Sequence, residues 1–139
     1  MFTVTHFRSE FVRQSQATIL RRVTMTQFML SVFHDPGVHD AGAAYQSDEE
    51  MQAAFAAVDA FNQELQSNDQ LVFACGLLPP ESATVVDAEG GQTPPPADRG
   101  RQLGGFWIVE VADHESAVTL AARAAAACGQ LVEARQLQG

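Results

Sequence analysis

Gln102, Leu103, Gly104, Gly105, Phe106, Trp107, Ile108, Val109, Glu110 and Val111 form the stretch from which the fold can be read. Side chains of a strand alternate between faces, so Trp107, Val109 and Val111 share one face while Phe106 and Ile108 share the other. Both faces are apolar, which marks a strand at the centre of a sheet. The paired glycines precede a strand, whereas a phosphate-binding loop leads into a helix. They therefore serve a sharp turn or a close approach of two backbones.

Outward from this strand, Leu71 to Leu78 reads as a second one, ended by Pro79 and Pro80, which have no amide to offer a ladder. Gln27 to His34 reads as a third, with Phe28, Leu30 and Val32 on one face and Met29 and Phe33 on the other. Between these two strands, Ser47 and Glu50 have capping-box spacing. Met51, Phe55, Val58, Phe61 and Leu65 then recur at helical intervals, which predicts a helix to about Ser67 whose stripe covers the sheet. Thr84 to Val86 predicts a short extra strand with Asp87 to Gly91 as its turn, and the proline-rich segment from Thr93 to Gly100 is a loop within the domain. Beyond the central strand, Asp113 is the expected N-cap of a second helix with the narrow stripe Ala117, Leu120, Ala121 and Ala124. Gly129 ends that helix, and Gln130 to Gln136 supplies the last strand.

Strand, helix, strand, strand, helix, strand is the order of an α+β fold, the ferredoxin-like split βαβ plait, in which two helices cover one face of an antiparallel sheet. Phe106 and Ile108 then lie on a face that no helix covers. A second copy packing sheet against sheet is the expected cover, giving a symmetric homodimer through the open sheet face.

The 139 residues suit one domain, expected at 25–139, preceded by an extension over residues 1–24 whose status is open. Arg8, Arg13, Arg21 and Arg22 lie in that extension among Phe7, Phe11, Ile19 and Leu20, without the continuous apolar core of a secretory signal. Met25 as a natural start and an amphipathic arm packing on the body are both compatible with it. The whole chain carries a formal charge of −9; removing four Arg and one Glu leaves the remainder at −12. Such a field repels nucleic acid and anionic headgroups, so neither nucleic acid nor a membrane is expected as a partner. Cys75 and Cys128 lack the spacing of a redox pair or zinc site and are expected as buried free thiols, consistent with a cytoplasmic location.

Gly76, Leu77, Leu78, Pro79 and Pro80, taken with the double-glycine strand, resemble the YCII-related family, in particular its DGPF branch, over residues 26 to 137. The resemblance implies a subunit of a dimeric α+β barrel and leaves the activity open. The branch is named for an Asp-Gly-Pro-Phe sequence shortly before its double glycine. An ungapped register puts Thr93, Pro94, Pro95 and Pro96 there, so the family's acid is absent unless a gap brings in Asp98. Some relatives carry on their first helix a histidine proposed to act with an aspartate; the register from Gly76 places Asp59 at that position. Both departures count against a simple transfer of catalysis.

Among residues that packing does not explain, His34 and Asp35 end the first strand, where a pocket mouth can form and a histidine beside a carboxylate can act as base and orienter. His39 with Asp40 reads as loop, and His114 as an exposed first-turn residue. Four histidines without helical or hairpin ligand spacing do not suggest a metal, and no motif calls for a cofactor. Glu81 follows the double proline, and Arg101 precedes the glycine strand, where it can hold a ligand carboxylate or form an ordinary surface ion pair. One expectation is a pocket between the first helix and the sheet, with His34 and Asp59 as candidate catalytic residues and Asp35, Glu81 and Arg101 as candidate ligand contacts. It would bind or convert a small organic molecule. The alternative is a non-catalytic accessory or regulatory protein, suggested because DGPF-type proteins are often encoded near alternative sigma factors. A third reading makes the basic extension a partner-binding arm.

Overall fold

The structure, a computed structural model, describes residues 25–35, 45–95 and 100–139. His39, Asp40 and Asp98, together with the arginines of the N-terminal extension, lie outside the described residues. The elements run β1 (Thr26–His34), α1 (Asp48–Ser67), β2 (Leu71–Gly76), a 3-10 turn (Pro80–Ser82), β3 (Val85–Val86), β4 (Gln92–Thr93), β5 (Gln102–Val111), α2 (His114–Cys128) and β6 (Leu131–Gln136).

β2, β5, β1 and β6 form one sheet in that order, and every neighbouring pair is antiparallel. This is the ferredoxin-like α+β arrangement, with an open sheet and no closed barrel among the described residues. β3 and β4 form a separate ribbon, closed by Asp87, whose carboxylate accepts from the amides of Glu89 and Gly91. β5 is the inner strand between β2 and β1, as its two apolar faces predict.

The helices begin where the sequence provides caps. Ser47 Oγ accepts from the Glu50 amide at 3.1 Å, and Asp113 Oδ1 accepts from the Ser116 amide at 2.8 Å. The bond from Ser116 holds the Asp113 carboxyl below the usual carboxylate range. Gly129, at φ +71°, ends α2 in the left-handed conformation that suits glycine.

Core packing lies on the face that the helices cover. Phe28 and Leu30 of β1, Trp107, Val109 and Val111 of β5, Phe61 and Leu65 of α1, and Ala117, Leu120, Ala121 and Ala124 of α2 are all buried there. The alanines let α2 approach closely, and Arg123 joins the helices by pairing with Glu64 while its guanidinium sits over the Phe61 ring. On the opposite face Phe73 and Phe106 form a tilted ring pair, yet Phe73 remains 54% exposed and Leu131 52%. That face has no covering element among the described residues.

Two differences from the sequence expectation matter for the site. β2 ends at Gly76, two residues earlier than the apolar run suggests. Leu77 still donates its amide to the Gly104 carbonyl, after which the double proline turns the chain away. The stripe of α1 is also not uniformly buried: Phe61 and Leu65 are packed, Val58 is half-buried, and Phe55 is 48% exposed. A helix lying flat would bury all of them, so the N-terminal half of α1 stands off the sheet and leaves space beneath it.

Candidate functional site

The space under α1 is a cavity of about 460 Å³. The ends of β1, β2 and β5 form its floor, through Val32, His34, Ala74, Gly76, Gly104, Gly105 and Trp107. Phe55, Val58, Asp59 and Asn62 of α1 form one wall. Leu77, Leu78 and Pro79 line the side where β2 ends, and Tyr45, Cys128 and Gln130 line another.

The two glycines of β5 have different physical tasks here. β5 carries one more residue than β1 at this point, because Val32 pairs with Gly105 and Phe33 with Leu103. Gly104 is therefore a bulge residue, of the kind that redirects neighbouring side chains. A Cβ on Gly104 would stand 2.8 Å from Cδ2 and 3.2 Å from Nε2 of His34, so the missing side chain gives the imidazole its seat. A Cβ on Gly105 would stand 2.8 Å from the Cys75 carbonyl oxygen and 3.2 Å from the Gly76 Cα. Gly105 thus permits the close approach of β2, and Gly104 permits the position of His34.

Polar groups around the cavity are largely fixed. Trp107 donates its indole N–H to Asn62 Oδ1 at 2.6 Å and meets Phe61 edge-on, which locks the ring between sheet and helix. Tyr45 donates its hydroxyl to the Cys128 carbonyl at 2.9 Å and stands edge-on to Phe55. Burial, with smaller contributions from Cys128 and Glu50, raises the Tyr45 pKa above its ordinary value. Burial also pushes the Cys128 thiol up, which disfavours the thiolate that a nucleophile needs. Asp59 Oδ2 accepts from Gln63 on the same helix at 3.1 Å. The Asp35 carbonyl lies 3.4 Å from His34 Nδ1, an arrangement that favours the proton on Nδ1 and leaves Nε2 as an acceptor.

Of the candidates named from sequence, His34 and Asp59 both line this cavity. Asp35 and Arg101 lie outside the lining and pair with each other at 3.4 Å on an exposed surface. Glu81 is exposed on the 3-10 turn, also outside the lining. Sequence reasoning missed Asn62 as a polar member of the cavity wall, and it read the double glycine as serving a turn or a close backbone approach, not the seating of a side chain. An asparagine one helical turn from Asp59 is a signal of Asn62's position, but its bond to Trp107 is visible only in the fold. Among the described residues, no group of three or more His, Cys, Asp or Glu side chains could hold a metal ion.

A ferredoxin-like α+β domain, with one sheet face uncovered among the described residues and a cavity beneath its first helix, is the class that fold and site define. The YCII-related domain matches residues 27–138, most of the chain, and the chain belongs to that family. A search of curated proteins finds no match.

Proposed function

We propose that this YCII-related protein binds, and acts as a cofactor-independent catalyst on, a small organic molecule held in the cavity under α1. The observation that carries the reading is the pairing of a largely apolar cavity with His34, an imidazole seated on Gly104 at its floor. Apolar walls supply affinity, while a few fixed polar groups orient the ligand. His34 Nε2 serves as hydrogen-bond acceptor or general base, and Asp59 provides the one carboxylate of the described lining. Asp35, Glu81 and Arg101 lie outside the cavity lining.

Trp107 is the only tryptophan in the chain and lines the cavity, so its fluorescence reports occupancy there. Screening a panel of small metabolites should yield at least one saturable change in emission. Gly76 also lines the cavity, and a Cβ placed on it meets nothing within 4 Å, so Gly76→Phe should fill the space without disturbing the sheet. The response should disappear in that variant. A change that persists in Gly76→Phe, or no response across the panel, refutes the reading.

The uncovered sheet face supports a second component of this reading, assembly as a homodimer through that face. Phe73 and Leu131 are both more than half exposed there, in keeping with an interaction surface on that face. The same exposed side chains equally suit a non-catalytic accessory or regulatory protein whose partner is a different chain, so the oligomeric state separates the two.

A further inference from the structure

From the charge and ring content of the cavity we infer that its ligand carries a positively charged amine on an apolar, ring-sized body. This inference rests on the reading of the cavity as a ligand pocket. Asp59 is the only carboxylate in the described lining, and neither arginine nor lysine occurs there. The chain contains no lysine at all. The described arginines are each engaged away from the cavity: Arg101 with Asp35, Arg123 with Glu64 and Arg135 with Glu133. An anionic ligand would therefore find no guanidinium or ammonium in the described lining, and it would approach a chain of net charge −9. A cation is favoured by the same field.

The apolar walls add to this preference. Tyr45, Phe55 and Trp107 all line the cavity. Aromatic faces carry partial negative charge and attract an ammonium group. Asp59 receives only a neutral amide donor from Gln63, and no cationic side chain pairs with it among the described residues. The carboxylate thus stands as the natural partner for a ligand cation, while the rings accommodate the body attached to it.

The test compares three probes of nearly equal shape, 2-phenylethylamine, 2-phenylethanol and phenylacetate, at pH 7.5. Affinity is read from Trp107 emission and from amide chemical shifts of cavity residues. The amine should bind about tenfold more tightly than the alcohol, from one ion pair and ring contacts together, and phenylacetate should bind more weakly than either. Asp59→Asn and Asp59→Ser should each remove the ion-pair share of the amine's advantage, reducing it to the few-fold preference that the ring contacts supply. Binding of the alcohol or of phenylacetate as tight as that of the amine overturns the charge preference and leaves the pocket reading standing. An amine preference that survives both Asp59 substitutions undiminished overturns the assignment to Asp59. If none of the probes shifts cavity residues, the inferred ligand class is overturned, while the pocket reading is judged by the metabolite panel and Gly76→Phe.

Discussion

At the scale of single residues, adjacent glycines of identical chemistry are expected to respond differently to the same substitution. Gly105→Ala places a methyl group 2.8 Å from a backbone carbonyl that the sheet holds in place. It should cost about 1–3 kcal/mol, the usual penalty of overpacking, read as a lower denaturation midpoint. Gly104→Ala meets the far edge of the His34 ring instead, and a side chain can rotate away where a strand cannot. Stability should change by less than about 1 kcal/mol, the range of a conformationally tolerated Gly-to-Ala exchange, while ligand affinity falls because His34 is displaced. Equal losses of stability in the two variants would contradict the division of roles. The sequence displayed the double glycine plainly, and its service to a close backbone approach could be anticipated. That one of the two seats His34 could not, since the contact depends on a bulge that appears only when β1 and β5 are paired.

Among the elements, the cavity exists because α1 and the chain before it are held at separate points. Phe61 and Leu65 anchor the C-terminal half of α1 to the sheet. Tyr45, just ahead of the helix, is tied by its hydroxyl to the last residue of α2. This bond requires the phenol in its protonated form, and burial raises its pKa. The folded value lies above the unfolded one, so the contribution to stability is fully present below about pH 10, the ordinary tyrosine value, and is lost as pH rises through the folded value. Tyr45 is the only tyrosine in the chain, so tyrosinate absorbance titrates it alone. The midpoint should lie above that of a free tyrosine and should return to it on denaturation; an unshifted midpoint would argue that Tyr45 is not held on α2. Periodicity predicted both helices and their caps, from Ser47 and Asp113 to Gly129. It also predicted that the whole stripe of α1 is buried, and Phe55 departs from this because a repeat of apolar residues records which face is turned inward, not how far the helix stands from what it faces.

For the molecule as a whole, the sheet face left uncovered among the described residues calls for a partner, and the proposed homodimer supplies one. Phe73 lies on that face at the edge strand β2, paired with Phe106 on the neighbouring strand. A stable interface needs roughly 1,000 Å² or more of buried surface, with apolar groups at its centre. Phe73→Glu would place charge into such an interface while leaving the helix-covered core intact. Analytical ultracentrifugation should show a dimer for the natural sequence and a folded monomer for the variant; a monomeric natural protein would exclude the dimer and favour a different partner on this face. The fold class was legible because hydrophobic pattern and element order both pointed to it, down to the uncovered face implied by Phe106 and Ile108. The site was only half legible. His34 and Asp59 come from different elements and meet at one cavity through topology, whereas Asp35 and Arg101, which looked equally suggestive, meet each other outside it.

The central claim, that the cavity under α1 is a ligand site, is tested most directly by soaking crystals with a library of small fragments that includes aromatic amines. Ordered density is predicted between α1 and the ends of β1, β2 and β5, in contact with His34, Asp59 and Trp107. Fragments ordered only at other surfaces, with this cavity occupied by solvent alone, would contradict the claim.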